Sequence, residues 1–215
     1  MTRYSTCGLL FSLLIFVSSA GFCFAQANSA STTPPPQVPP STAAEYGSQA
    51  WKEFTSTDGR FTILFPGSSR EETRPLDTPV GKFELHIHKL HTFAEYSVMY
   101  ADYPPPISDD DPEVARRVLD NGLKGAVAEV NSELLDVKEI SLDGHPGRAY
   151  KEKMPNGSIL RGKTYLVGRR LYQIAITTPQ EEKIPGDTVR FFDSVAAKFL
   201  DSFRLIKGGE TNQGR

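Results

Sequence analysis

The residue types able to do chemistry concentrate in one stretch, KFELHIHKLHTF at 82–93, which holds three of the four histidines of the chain. On a strand, side chains alternate between faces, so Phe83, Leu85 and Ile87 point one way and Glu84, His86 and His88 the other. The second set offers a carboxylate and two imidazoles at the His-x-His spacing by which a strand chelates zinc or copper. A catalytic zinc takes three protein ligands and an open position. The third ligand would be Glu84, about 13 Å along the strand from His88 at ~3.3 Å per residue, or a group from a neighbouring strand. His91 falls on the opposite face and His145 in a turn. A solvated polar strand face accounts for the same spacing without an ion, and that reading is adopted. Glu84, His86 and His88 stand as the candidate set for a metal site.

Other chemistry finds less support. There is no G-x-S-x-G elbow, and Ser68 and Ser69 have no histidine whose placement can be argued. No pair of carboxylates sits in an apolar neighbourhood that would raise one of them for acid catalysis. No P-loop or dinucleotide glycine pattern occurs. The aspartates at 109–111 lack the alternating spacing of a calcium loop and suit the start of a helix, where negative charge is favourable. The sequon at Asn156 falls on an Asn-Gly that a tight turn would use in any case. The chain reads as a non-enzyme, with no cofactor unless zinc or copper binds at the histidines, which leaves a metalloenzyme open. Arg161, Lys163, Arg169 and Arg170 cluster around one hairpin, and together with the amphipathic Tyr103 they are the candidate contacts for a protein partner. Tyr96 and Tyr100 share a strand face with Val98 and are assigned to the core.

These residues lie in a chain with distinct ends. Arg3 precedes a 16-residue apolar run, Leu9–Phe24, with small residues at Cys23 and Ala25. That is the pattern of a signal peptide, 1–25, and the run is just short of the roughly 17 to 25 residues a spanning helix needs. Phe22 before Cys23 argues against lipid modification. Both cysteines, Cys7 and Cys23, fall inside the signal, so the mature chain can form no disulfide and no thiolate site. Residues 26–49 are rich in Pro, Ser, Thr and Ala and read as a disordered linker. The globular domain spans 50–206, and the polar, Gly-rich 207–215 reads as a flexible tail. The expected location is periplasmic or secreted, or membrane-anchored if the signal is retained. Without the signal, 23 basic residues face 26 acidic ones, and no long basic run exists. That balance excludes nucleic acid as the partner. A monomer is expected.

Turn chemistry orders the domain. WKEFTS and RFTILF flank Asp58-Gly59, which is expected to supply the positive-φ residues of a tight hairpin. A polar loop follows Pro66-Gly67, and strands are expected at 82–93 and 95–103. Asp111 and Pro112 then mark the start of a helix, with Ala115, Val118, Leu119, Gly122, Ala126 and Val130 on one face. Gly122 and Gly125 suggest close packing on a sheet. Strands at 134–142, 147–154, 158–167 and 170–177 follow, linked by DGHPG, PNG and VGRR. A last helix carries Phe192, Val195, Ala196 and Phe199 on one face and runs into a short strand, FRLI.

This order, with DGRFTILFPG at 58–67, LDGHPGRAY at 142–150, YLVGRRLYQIAI at 165–176 and FFDSVAAKFLDSFRL at 191–205, resembles the PsbP-like superfamily, which includes PsbP, the Mog proteins and DcrB-type envelope proteins. The resemblance implies an α+β fold, a central antiparallel β-sheet flanked by helices in an α/β/α sandwich. It also implies a role in binding or assembling other proteins in the cell envelope, with no shared catalytic residues.

Overall fold

The computed structural model describes residues 50–78 and 81–206. The expected signal, linker and tail lie outside the described residues. Ten strands and two helices follow in order: β1 (Lys52–Ser56), β2 (Phe61–Phe65), β3 (Arg70–Thr78), β4 (Gly81–His91), β5 (Glu95–Asp102), α1 (Pro112–Val130), β6 (Glu133–Leu142), β7 (His145–Lys153), β8 (Ile159–Val167), β9 (Arg170–Thr178), α2 (Gly186–Asp201) and β10 (Arg204–Leu205).

The strands form two antiparallel sheets. One has seven strands in the order β3-β4-β5-β9-β8-β7-β6, and the other has three, β1-β2-β10. Two local meanders, β3–β5 and β6–β9, are joined where β5 pairs with β9, from Glu95 opposite Thr177 to Asp102 opposite Arg170. The region at 70–78, expected as a loop, is the edge strand β3, paired with β4 along its full length. Pro75 and five charged side chains hide it from a pattern reading, yet an edge strand tolerates a proline whose missing N–H would face solvent.

The α1 boundary follows the sequence. The Asp111 carboxylate accepts from the Glu113 and Val114 amides at 2.9 and 3.3 Å, satisfying two donors at the helix start. The face that α1 buries is Ala115, Val118, Leu119, Leu123, Gly125 and Ala126, and it packs with Leu166, Leu171 and Tyr103. Gly122 is not a close contact, because a β-carbon there would meet nothing within 4 Å. In α2, Phe192, Val195, Ala196, Phe199 and Leu200 are buried against Tyr165, Tyr172, Ile174 and Ile176. Leu166 and Leu171 alternate with Tyr165 and Tyr172 along β8 and β9, so α1 and α2 lie on opposite faces of the large sheet. The α2 face is also covered by the small sheet, through Phe61, Ile63 and Phe65. The described chain is therefore mostly antiparallel β with two helices, and the second, three-stranded sheet shares one face of the large sheet with α2.

Two turns differ from expectation. In the β1–β2 connection, Arg60 and not Asp58 or Gly59 takes positive φ, at 55°. Gly59 is required for space: a β-carbon there would lie 2.5 Å from the Phe61 ring and 2.6 Å from Ser56 Oγ. Its amide donates to Ser56 Oγ at 3.0 Å, and its carbonyl accepts from the Tyr172 hydroxyl at 2.7 Å. Between β7 and β8, only Gly157 has positive φ; Asn156 instead accepts from the Ser158 amide at 3.0 Å. The β6–β7 turn does use a positive-φ pair, Asp143 and Gly144.

Candidate functional site

The strand alternation places Glu84, His86 and His88 on one face of β4, as the sequence requires, but that face is solvated only at its Glu84 end and is covered at His88. Phe54 of β1 and Phe61 of β2 lie over His88, with ring centroids 4.8 and 5.7 Å from its own. His88 is 2% exposed, and neither ring nitrogen has a hydrogen-bond partner. Burial pushes its pKa below the ordinary histidine value, with Glu71, opposite it on β3, acting the other way and His86 adding to the fall. His86 is half-buried and stacks on Tyr100, with centroids 4.6 Å apart and planes 7° from parallel. Its Nδ1 lies 3.3 Å from Thr73 Oγ1, and its Nε2 lies 4.0 Å from a Glu84 carboxylate oxygen. The two imidazoles thus serve different environments, one sealed among aromatic rings and one at the sheet surface. Among the described residues, no group of three His, Cys, Asp or Glu side chains is arranged to hold a metal ion. His91 is exposed at the end of β4, and the His145 ring contacts Asp109.

The Arg170 guanidinium also lies over the Tyr100 ring, 4.9 Å from its centroid. Arg170 also donates to both oxygens of Asp102, at 2.7 and 2.6 Å. That pair holds the Asp102 carboxyl below the usual carboxylate range and raises Arg170. The other residues expected at a partner contact are engaged within the chain as well. Arg161 bridges Glu181 and Asp193 at 2.6 and 2.5 Å, Lys163 pairs with Asp201 at 2.5 Å, and Arg169 Nε donates to the Tyr103 carbonyl at 2.8 Å. With Lys151 on Glu181 and Lys153 on Glu182, these ion pairs tie the large sheet to α2 and to the turn that precedes it. Tyr103 is buried beside Phe83, its ring 5.6 Å away, and burial pushes its hydroxyl up to about 12. The expected surface contact at Tyr103 is corrected to a core position, since its ring is covered by α1 and not presented to a partner.

Two features escaped the sequence. Arg148 on β7 is buried and bridges Asp120 of α1 at 2.9 Å and Glu139 of β6 at 3.2 Å, which fixes the helix to the sheet. The second is β6 itself. It is the outer strand of the large sheet opposite β3, pairs only with β7, and is exposed along nearly all of Glu133–Ile140. Leu134, Leu135 and Val137 are 39, 44 and 45% exposed, three of the four exposed large hydrophobics among the described residues. A bulge between Leu134 and Asp136 makes these apolar residues nearly contiguous. The opposite edge is defended by Pro75, Glu71, Glu72, Arg74 and Asp77, and burial of charge is avoided there by pairing, for example Lys89 with Glu72 at 2.8 Å. The alternation of β6 was legible, but its position at the edge of the sheet was not.

Comparison with solved structures gives a fold-level resemblance to cyanobacterial PsbP from Synechocystis, at 14% identity and a TM-score of 0.44, over 73% of this chain and 93% of that one. A Pseudomonas aeruginosa protein of unknown function aligns at 12% identity and a TM-score of 0.32, over 68% of this chain and 94% of the other. No protein-family profile and no curated protein matches the chain. Among the described residues, no helix is long and apolar enough to cross a membrane.

Proposed function

We propose that the chain is an exported, non-enzymatic PsbP-like domain that binds protein in the cell envelope, using the outer edge of β6. The observation that carries this reading is the row Leu134, Leu135 and Val137, exposed on a strand whose outer backbone groups have no strand beside them among the described residues. An edge of that kind is a template for strand addition, in which main-chain hydrogen bonds supply affinity and side chains supply choice of partner. In the same reading, the large sheet is the middle layer of a PsbP-like α/β/α sandwich. Its outer layers are α1 on one face and α2 with the small sheet on the other.

Binding through Arg161, Lys163, Arg169 and Arg170 finds less support, because each already bonds within the chain. The alternative of zinc or copper held by His86, His88 and Glu84 meets the obstacle that the His88 ring is enclosed by Phe54, Phe61 and Tyr100. The direct test is capture from an envelope extract on immobilised protein beginning at Gln26, beside a variant with Leu134, Leu135 and Val137 all changed to Ser. Saturable recovery of a protein by the first and its loss in the second is the expected result. Equal recovery by both would overturn the assignment to β6.

A further inference from the structure

Building on the reading of β6 as a protein-binding edge, we infer that its occupant is a second copy of the same chain, with the two β6 strands pairing antiparallel about a two-fold axis at Val137. The argument starts from charge. In antiparallel pairing about Val137, residue 137 faces its own copy, Asp136 faces Lys138 of the other copy, and Lys138 faces Asp136. Two opposite-charge pairs form at once and flank an apolar Val–Val pair. Opposite charges directly across a strand pair are favourable and like charges unfavourable.

Neighbouring registers lose this match. Moving the axis to Lys138 sets Lys138 against itself, and moving it to Asp136 sets Asp136 against itself. The self-complementary register is thus distinguished within the strand. Within one chain, Lys138 and Asp136 are already 3.1 Å apart and both mostly exposed, so neither charge is committed to the body of the domain.

Exposure gives the second line of argument. Leu134, Leu135 and Val137 lie within four residues on the same edge, and the two-fold operation sets Val137 against its own copy, with Leu134 and Leu135 of each copy just beyond the charged pairs. An isologous contact of this kind closes on itself as a dimer and uses up the open edge on both copies. The far edge, β3, carries Pro75 and dense charge, so the joined sheet does not propagate into a filament. The bulge beside Leu135 confines regular pairing, by the two-fold, to Asp136, Val137 and Lys138 of each copy, which contains both charged positions.

The test uses charge reversal on the chain beginning at Gln26, followed by sedimentation velocity over a range of concentrations. Lys138→Asp alone places Asp against Asp twice, and Asp136→Lys alone places Lys against Lys twice. Each variant should dissociate about tenfold more readily than the unaltered protein. An equimolar mixture of the two variants restores both opposite-charge pairs and should recover the dimer as a heterodimer, as should the double variant with itself. Both positions are exposed, so circular dichroism of each variant should match the parent and rule out misfolding as the cause. A parent that is monomeric throughout the concentration range would overturn the inference. So would a dimer that the single variants leave intact, or one that the mixture fails to restore. A monomeric parent that still captures an envelope protein in a Leu134-, Leu135- and Val137-dependent manner would overturn the self-pairing alone and leave β6 as a docking edge for another chain. A monomeric parent whose capture is insensitive to β6 would overturn both.

Discussion

Replacing His88 with Leu should stabilise the domain, and by more at pH 5 than at pH 7.5. The His88 ring is 2% exposed among Phe54, Phe61 and Tyr100, and both of its nitrogens lack partners. Leaving a buried polar group unsatisfied costs about 1–3 kcal/mol. Leu keeps a similar volume and removes that cost, but forfeits ring–ring contacts worth about 0.5–1.5 kcal/mol. The net gain at pH 7.5 should be about 1 kcal/mol. Acid adds a second component. Burial lowers the folded-state pKa of His88 below its ordinary value of 6.5. The unfolded chain therefore takes up a proton first as pH falls, and folded stability declines below about 6.5 until the folded-state pKa is reached. The slope is up to about 1.4 kcal/mol per pH unit in that window. His86, His91 and His145 are common to both proteins, so the difference between them isolates His88. Urea denaturation followed by circular dichroism at pH 7.5, 6.0 and 5.0 measures it, and the advantage of the variant should widen by up to about 2 kcal/mol. A difference that stays constant with pH would refute the sealed, neutral histidine.

Gly122→Ala should raise stability by about 1 kcal/mol, because helix propensity improves and the new methyl group meets open space; a lower urea midpoint would contradict this. Gly162→Ala should cost about 1–3 kcal/mol, since its β-carbon would lie 2.3 Å from the Tyr150 ring that crosses it from β7. Unchanged thermal melting would refute that packing. Zinc or copper added to the purified domain at pH 7.5 should give no thermal shift beyond that of buffer, and a saturable shift abolished by His86→Ala would restore the metal reading.

Strand alternation and turn residues made most of the large sheet legible, because β4 and β5 alternate apolar with polar residues and β5 to β9 end at or just before Gly, Pro or Asp. What lay beyond the sequence has a common physical origin in coverage by distant segments. His88 looked solvated because its own strand alternates Phe83, Leu85 and Ile87 against polar residues; the cover over it comes from Phe54 and Phe61, more than twenty residues earlier. Arg161 and Lys163 looked available because their partners Glu181, Asp193 and Asp201 are supplied by the segment that folds back over the sheet, and Arg169 and Arg170 because theirs, the Tyr103 carbonyl and Asp102, lie more than sixty residues earlier. Tyr103 looked like an interface tyrosine until α1 closed over it. The edge position of β6 depends on strand order, which no local pattern encodes, and β3 was hidden by the very charges and proline that protect it.

The small sheet sets a condition on the order of folding. β10 lies against β2, with Arg204 opposite Thr62 and Leu205 opposite Phe61, so the last described strand completes a structure begun near residue 52. Phe203, immediately before it, stacks on Phe61 at 5.4 Å, and Phe61 is part of the enclosure around His88. A chain made from its N-terminus can form the β3–β5 meander early, because those contacts are local. It cannot finish the lid over His88 until residues 203–205 have emerged, and closing so long a loop is slow relative to forming hairpins. Until then the β1–β2 hairpin lacks its third strand, and the aromatic rings that later seal the core remain open to water.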